Sequence, residues 1–249
     1  MAGVLAVCGM AFEARIAAAA GAEVLYGARG PALERRLAER LRLPCDGVIS
    51  FGVAGGLAPA LPPGAVVVAT EIIDGARSLA SYPTDTQWTA ALRAALPKAC
   101  GGALAGEDGA VASVADKQAW WQATGALAVD MESHIAARQA QAARVPFVAC
   151  RVVLDAAACA VPAAALAALG ADGRTDLGAL LLALARQPRQ LPDLLKLACD
   201  ATTARASLRA ARRSVGPRFA LPAAPYLAPI QSGTGTGTGA AGGAGSVSS

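Results

Sequence analysis

Histidine is nearly missing from this chain: His134 is the single one in 249 residues. That excludes a metal site built on several histidines. A Ser-His-Asp or Cys-His arrangement would have to run through His134, and no Gly-x-Ser-x-Gly segment accompanies it. His134 is therefore expected to serve a helix surface or its packing. The six cysteines, Cys8, Cys45, Cys100, Cys150, Cys159 and Cys199, include no CxxC pair. Most lie in apolar runs and read as reduced core thiols of a cytoplasmic protein. Aromatic residues make up 4% and do not interleave with the basic ones, which leaves nucleic-acid binding unsupported. No P-loop or dinucleotide fingerprint occurs, and neither a cofactor nor a metal is expected.

An unbroken apolar stretch able to cross a bilayer is also lacking. Gly47 to Thr70 carries no charged residue and is long enough to cross, but Gly52, Gly55, Gly56, Pro59, Pro62, Pro63 and Gly64 cut it into strand, loop and strand. The opening MAGVLAVCGMAFEAR has no basic lead and is interrupted by Glu13 and Arg15, so it does not read as a signal peptide. What is present is 55% hydrophobic residues and a net charge of +4, enough for one domain with a large core.

Strands are expected at Gly3–Cys8, Gly47–Phe51, Ala65–Ile73, Gly101–Ala105, Ala126–Val129 and Val145–Leu154, where short apolar runs are bounded by turn residues. Helices are expected from Glu13 to Ala20, Pro31 to Leu41, Thr86 to Ala95, Ala115 to Thr124 and Glu132 to Ala143. Gly52 to Leu57 and Asp74 to Pro83 read as loops. Trp120 and Trp121, on the fourth of these helices, suit the core or a subunit contact better than a site.

Two acidic features close the last two strands. One is Asp130-Met131-Glu132, the other Asp155. Ligands of α/β sheets gather at the carboxyl ends of strands, so a polyol and heterocycle site fits there. Helix capping by Asp130, with Glu132 complementing the helix dipole, fits the same residues. Gly27-Ala28-Arg29-Gly30 likewise reads either as a turn before a solvated helix or as an anion site.

VDMES followed by VPFVACRVVLDAA resembles the nucleoside phosphorylase and nucleosidase superfamily, the purine and methylthioadenosine group. ISFGVAGGLAPALPPGAVVVATEII resembles the family's glycine-rich segment, and Met10 and Glu13 keep a spacing found in its nucleosidases. The resemblance implies an α/β fold, a single-domain phosphorylase/hydrolase-like unit with a central mixed twisted sheet flanked by helices. It implies an enzyme that cleaves a purine N-ribosidic bond, and a homo-oligomer. By the same resemblance Asp155 protonates the leaving purine and Glu13 activates water. Asp130, Met131 and Glu132 hold the ribose, and Arg151 orients a carboxylate. Met10, Gly52, Val53, Ala54, Gly55, Ala110 and Val111 line the substrate. Relatives often carry a hydroxyl residue where Val53 stands and an aromatic side chain near Glu107 to Val111; this chain has neither. The Gly-Asp-Pro-Arg type of loop of phosphorolytic relatives is replaced by Gly9 to Glu13, which favours water, while phosphorolysis would draw on Arg15 and Arg29.

After Asp155 the chain runs on into Leu-rich segments and resembles the hopanoid-associated branch, whose substrate is adenosylhopane, in hopanoid biosynthesis. The alternatives are a methylthioadenosine or adenosylhomocysteine nucleosidase and a phosphate-dependent purine nucleoside phosphorylase; a binder that lost catalysis is disfavoured by the retained Glu13, Glu132 and Asp155. Leu191, Leu194, Leu195, Ala198, Ala201, Leu208 and Ala211 follow helical spacing, with Lys196, Arg205, Arg209, Arg212 and Arg213 on the same helix. Either the leucines of this half, Leu180, Leu181, Leu182, Leu194 and Leu195, are core, or they form an apolar opening for a lipid-tailed nucleoside. The basic residues suit either a solvated face or peripheral contact with anionic lipid. Residues 1–215 form the expected domain, and 216–249, ending in SGTGTGTGAAGGAGSVSS, an extended tail.

An N-ribosidic bond breaks through a sugar carrying positive charge, and the departing purine needs a proton. For Asp155 to carry that proton near neutral pH its pKa must rise by about three units, which costs about 4 kcal/mol. Burial at the end of an apolar strand supplies such a rise.

Overall fold

The computed structural model describes residues 3–18, 22–168, 170 and 172–223. In chain order the elements are β1 (Val4–Cys8), α1 (Ala11–Ala17), β2 (Glu23–Tyr26), α2 (Gly30–Arg40), β3 (Gly47–Gly56), β4 (Val66–Asp74), β5 (Ala80–Pro83) and α3 (Thr86–Ala95). They continue as β6 (Cys100–Gly106), α4 (Val114–Thr124), β7 (Ala128–Asp130), α5 (Ser133–Ala143), β8 (Phe147–Asp155), α6 (Ala163–Ala167), α7 (Leu177–Arg186) and α8 (Leu191–Ser214).

All eight strands belong to one mixed sheet, ordered β2-β1-β3-β7-β6-β4-β5, with β8 pairing both β3 and β4. The pairings β3–β8, β8–β4, β4–β6, β6–β7 and β7–β3 therefore close on themselves. Closure depends on the long strand β3. Its first part runs parallel to β1 and β8, and Gly55 and Gly56 then turn to pair antiparallel with β7 after a register shift between Ala54 and Gly55. The expected Gly52–Leu57 loop is thus strand almost throughout. Small residues there permit close approach: a Cβ on Gly56 would lie 2.9 Å from the Asp155 carbonyl oxygen. The expected loop at Asp74–Pro83 also contains a strand, since β5 pairs with the end of β4.

Helices cover both faces. On one, α1 and α8 join β1, β3 and β8 around Ile49, Phe51, Val148, Val152, Ala204 and Leu208. On the other, α2 and α5 pack Leu33, Leu37, Ile135 and Ala140 against Leu5, Val48 and Phe147. The chain from 216 onward does not leave the domain at once. Phe219 is fully buried, meets Phe51 edge to face at 5.2 Å, and its carbonyl accepts a 2.7 Å hydrogen bond from Trp88 Nε1. This contact lies past residue 215, where the domain is expected to end; residues 224–249, most of the expected tail, lie outside the described residues. The thiols are free, as expected, but only Cys8 and Cys150 are core; Cys45, Cys100 and Cys159 are half-buried and Cys199 is exposed. No helix among the described residues is long and apolar enough to cross a membrane.

Candidate active site

The carboxyl ends of β1, β3, β7 and β8 surround one cavity of 370 Å³. Glu13 enters it from the first turn of α1. Its Oε2 accepts from the backbone N–H groups of Gly9 (2.9 Å) and Met10 (2.8 Å), and its Oε1 accepts from Val53 N (2.7 Å). Val53 therefore contributes through its backbone, and its lack of a hydroxyl removes no contact to Glu13. Burial raises the Glu13 pKa, opposed by the Arg151 charge and by those three N–H groups.

Arg151, on β8, is buried among the acidic groups. Its Nε lies 2.6 Å from Asp130 Oδ2, and its Nη2 donates to Ser50 Oγ (2.6 Å) and Glu132 Oε2 (3.2 Å). Asp130 is not the N-cap of α5, which is Glu132, but its carboxylate satisfies amides at the start of the helix: Oδ1 accepts from Glu132 N (3.1 Å) and Ser133 N (2.8 Å), while the Ser133 hydroxyl bonds to Oδ2 and to Ser50 Oγ. Capping and site membership are not alternatives here, because Asp130 also lines the cavity. Glu132 does not act as a dipole partner in the first turn; its carboxylate faces Arg151 and lies over Gly9, where a Cβ would stand 2.5 Å from Oε1. Burial pushes Glu132 up to about 7, with Asp130 and Glu13 adding to the rise and Arg151 and Arg29 opposing it.

Asp155 ends β8 and also lines the cavity. Burial raises its pKa as expected, but a cation absent from the sequence reading opposes the rise. Lys117 from α4 is fully buried and forms an ion pair with Asp155 Oδ2.

Of the residues picked out from sequence, Met10, Val53, Ala54, Gly55, Ala110, Val111, Asp130, Met131, Glu132, Glu13, Asp155 and Arg29 line the cavity. Gly52 and Arg151 do not line it, because the space beside Gly52 is taken by the Glu13 and Arg151 side chains; the expectation that these two touch substrate is corrected. Arg15 is not brought there; it is exposed on the outer side of α1, and that expectation is corrected. Arg29 does line the cavity, with a buried Nε that has no hydrogen-bond partner among the described residues. His134 is buried rather than on a surface, packed against Gly106, with Nε2 3.1 Å from Asp108 Oδ1. Lys117, Ser50 and Ser133 were missed. The only local signal for Lys117 was its rarity, as one of three lysines, since nothing in the α4 sequence shows that it points at a residue 38 positions later.

Beyond the carboxylates the cavity turns apolar, walled by Phe12, Val161, Leu166, Leu180, Leu194 and Leu197. The expected leucines divide: Leu180 and Leu194 line the cavity, whereas Leu181, Leu182 and Leu195 are exposed. They are not core. The basic residues of α8 divide as well. Arg205 lies over Phe12 at the cavity, Arg212 is buried, and Lys196 pairs with Asp200 at 2.9 Å.

A family model described as the phosphorylase superfamily matches residues 27–186. The chain belongs to that superfamily. As a member it is an enzyme of the nucleosidase and nucleoside phosphorylase kind. Its fold is similar to that of an S-adenosylhomocysteine nucleosidase from Streptococcus pyogenes (TM-score 0.55, 22% identity, 63% of this chain and 84% of that one). It is also similar to a 5'-methylthioadenosine nucleosidase from Arabidopsis thaliana (TM-score 0.61, 15% identity, 86% and 94%). A futalosine hydrolase from Helicobacter pylori shares the fold too (TM-score 0.58, 16% identity, 84% and 97%). No curated protein matches the sequence. The family match begins after Glu13 and stops before α8, so Phe12, Glu13, Leu194 and Leu197 lie outside the matched span, while Val161, Leu166 and Leu180 lie within it.

Proposed function

We propose that this chain hydrolyses the N-ribosidic bond of a purine nucleoside, releasing adenine from a ribose that carries a large apolar group; adenosylhopane is the substrate of choice and hopanoid biosynthesis the setting. The observation that carries this reading is one cavity with Glu13, Glu132 and Asp155 at its polar end and a wall of Phe12, Leu166, Leu180, Leu194 and Leu197 beyond them. Asp155 donates its proton to the purine as the bond to C1' breaks, so the leaving group departs neutral. Glu13 takes a proton from water attacking the opposite face of the sugar. Glu132 accepts from ribose hydroxyls, Met131 packs on the sugar, and Arg151 keeps Asp130 and Glu132 in place. Each methylene buried against the apolar wall adds roughly 0.8 kcal/mol, so a triterpenoid tail gains affinity without a new polar contact.

A small-substrate methylthioadenosine or adenosylhomocysteine nucleosidase is the alternative that uses the same carboxylates. Phosphorolysis is favoured by one observation, the Arg29 Nε beside the cavity, which has no partner among the described residues. The assay that decides compares adenine release from detergent-dispersed adenosylhopane and from methylthioadenosine, with and without phosphate. Preference for the small thioether nucleoside defeats the lipid reading and leaves nucleosidase chemistry standing; a sugar 1-phosphate as main product defeats hydrolysis.

The reading extends to a cytoplasmic enzyme that touches a membrane. Leu177, Leu181, Leu182, Leu191 and Leu195 are exposed on α7 and α8, on the outside of the apolar wall. The charge expected to draw α8 to anionic lipid supports this less, since Arg212 is buried and Arg218 pairs with Asp46 at 2.7 Å. A homo-oligomer completes the proposal: Gly109, Ala110 and Val111 offer the base no aromatic ring, a gap that a residue from a second copy would fill. Vesicle flotation and solution mass measurement test these two points.

A further inference from the structure

Lys117 is the buried cation that the mechanism above leaves without a task. Its Nζ is fully buried on α4 and is held by three acceptors: Asp155 Oδ2, the Cys159 carbonyl at 2.7 Å and the Ala156 carbonyl at 3.1 Å. A lysine ammonium has three N–H donors, so all are used. None is left for a ligand, and Lys117 does not line the main cavity. The two carbonyls belong to the segment that follows Asp155, so Nζ is fixed relative to the carboxyl it holds.

Asp155 borders two spaces. One is the main cavity; the other is a polar cavity of 200 Å³ behind it, lined by Cys159, Asp193, Lys196, Leu197 and Asp200 among others. Glu13, Arg29, Asp130, Glu132 and Arg205 share the main cavity with Asp155; on its other side the charged groups are Lys117 from α4 and Asp193, Lys196 and Asp200 from α8, with the Cys159 thiol receiving a contact from Lys196 Nζ at 3.1 Å. Lys196 is already shared between Asp200 and Cys159. Lys117 is the cation in direct contact with the Asp155 carboxyl.

We infer that Lys117 is a positioning residue for the leaving-group acid: it holds the Asp155 carboxyl at the cavity edge and stabilises the carboxylate left when the proton has gone. The inference rests on the purine-cleavage reading. In the step concerned, the Asp155 O–H bond breaks as an N–H bond forms on the purine, and the electron pair of the C1'–N bond passes to the purine. The new carboxylate faces an ammonium that keeps its own three protons. The cycle closes when Glu13 releases to solvent the proton it took from the attacking water and Asp155 regains one from solvent.

The sign of the pH effect follows. Asp155 must be protonated to act, so turnover falls as pH rises through its pKa. Burial raises that pKa and the Lys117 charge lowers it, so loss of the charge moves the fall to higher pH. In full-length Lys117→Met the alkaline limb of kcat should move up by about one unit or more, with kcat reduced and KM little changed. Lys117→Arg keeps a cation and should keep the limb in place, with kcat reduced by the displaced carboxyl. A folded Lys117→Met enzyme whose alkaline limb stays put overturns the inference, because a purely structural lysine would lower stability without moving it. If Lys117→Met does not fold, Lys117→Arg decides: an unmoved limb with reduced kcat supports the role, and wild-type kcat overturns it. A wild-type enzyme that releases no purine from any nucleoside sinks the functional reading itself, a result seen before any variant is made.

Discussion

Gly52 and Glu13 share one space. A Cβ built on Gly52 would stand 2.5 Å from Glu13 Oε1 and 2.6 Å from Arg151 Nη1, so the buried carboxylate and the buried arginine both occupy the room a side chain would take. Gly52→Ala should therefore displace both groups. Misplacing a reacting group by about 1 Å can cost about 10²-fold, and a loss of that order in kcat is expected. A circular dichroism spectrum like that of the wild type would show that the site, not the fold, was hit; unchanged turnover would disconnect Glu13 from the reaction.

Asp155→Asn keeps the shape and removes the donated proton. Turnover should fall by about 10² or more, the range of general acid help. The measurement is steady-state adenine release, and near-normal kcat would take Asp155 out of the mechanism.

Glu13 must be ionised to accept a proton from water, so activity should fall as pH drops through its pKa. Burial raises that pKa, which places the acid limb above the ordinary carboxylate range. Glu13→Gln should lower kcat by about 10²-fold or more and remove the limb from the pH–kcat profile of what remains. A limb that persists in this variant belongs to another group.

Thermal stability should carry the mark of the same burial. Glu132 is raised in the folded state to about 7. Its protonated form favours folding fully below the unfolded carboxyl pKa, and that contribution is lost as pH rises from there through the folded value. The melting temperature of the free enzyme should be higher near pH 5.5 than near pH 8. Glu132→Gln should flatten the difference; an equally steep profile in that variant would assign it to Glu13 or Asp155, both also raised.

Phe219 tests where the domain ends. It is fully buried, contacts Phe51, and lies under the Arg212 guanidinium at 3.8 Å. Phe219→Ala should cost about 3 kcal/mol or more by denaturant unfolding. A change below about 0.5 kcal/mol would return residues after 215 to the tail.

The sequence by itself determined the alternation of elements, since apolar runs bounded by Gly and Pro have few other ways to bury their surface. Helix α3 falls where its pattern places it, Thr86–Ala95, and the strand ends that bring Asp130 and Asp155 to the cavity were legible as acidic residues closing apolar runs. Through the family resemblance, the spacing of Met10 and Glu13 also pointed to the water side. Only the tertiary structure decided which charges meet. Lys117 finds Asp155 because α4 crosses the segment after β8, and Arg151 finds Asp130 and Glu132 because β3 bends between its neighbours. Arg15 and Arg29 look alike in sequence, yet one points to solvent and the other to the cavity. The leucines of α7 read as core or as an opening, and the fold divides them between a cavity wall and solvent. Local patterning records which residues avoid water; it does not record which distant element covers them, and the pairing of buried charges is set by that covering.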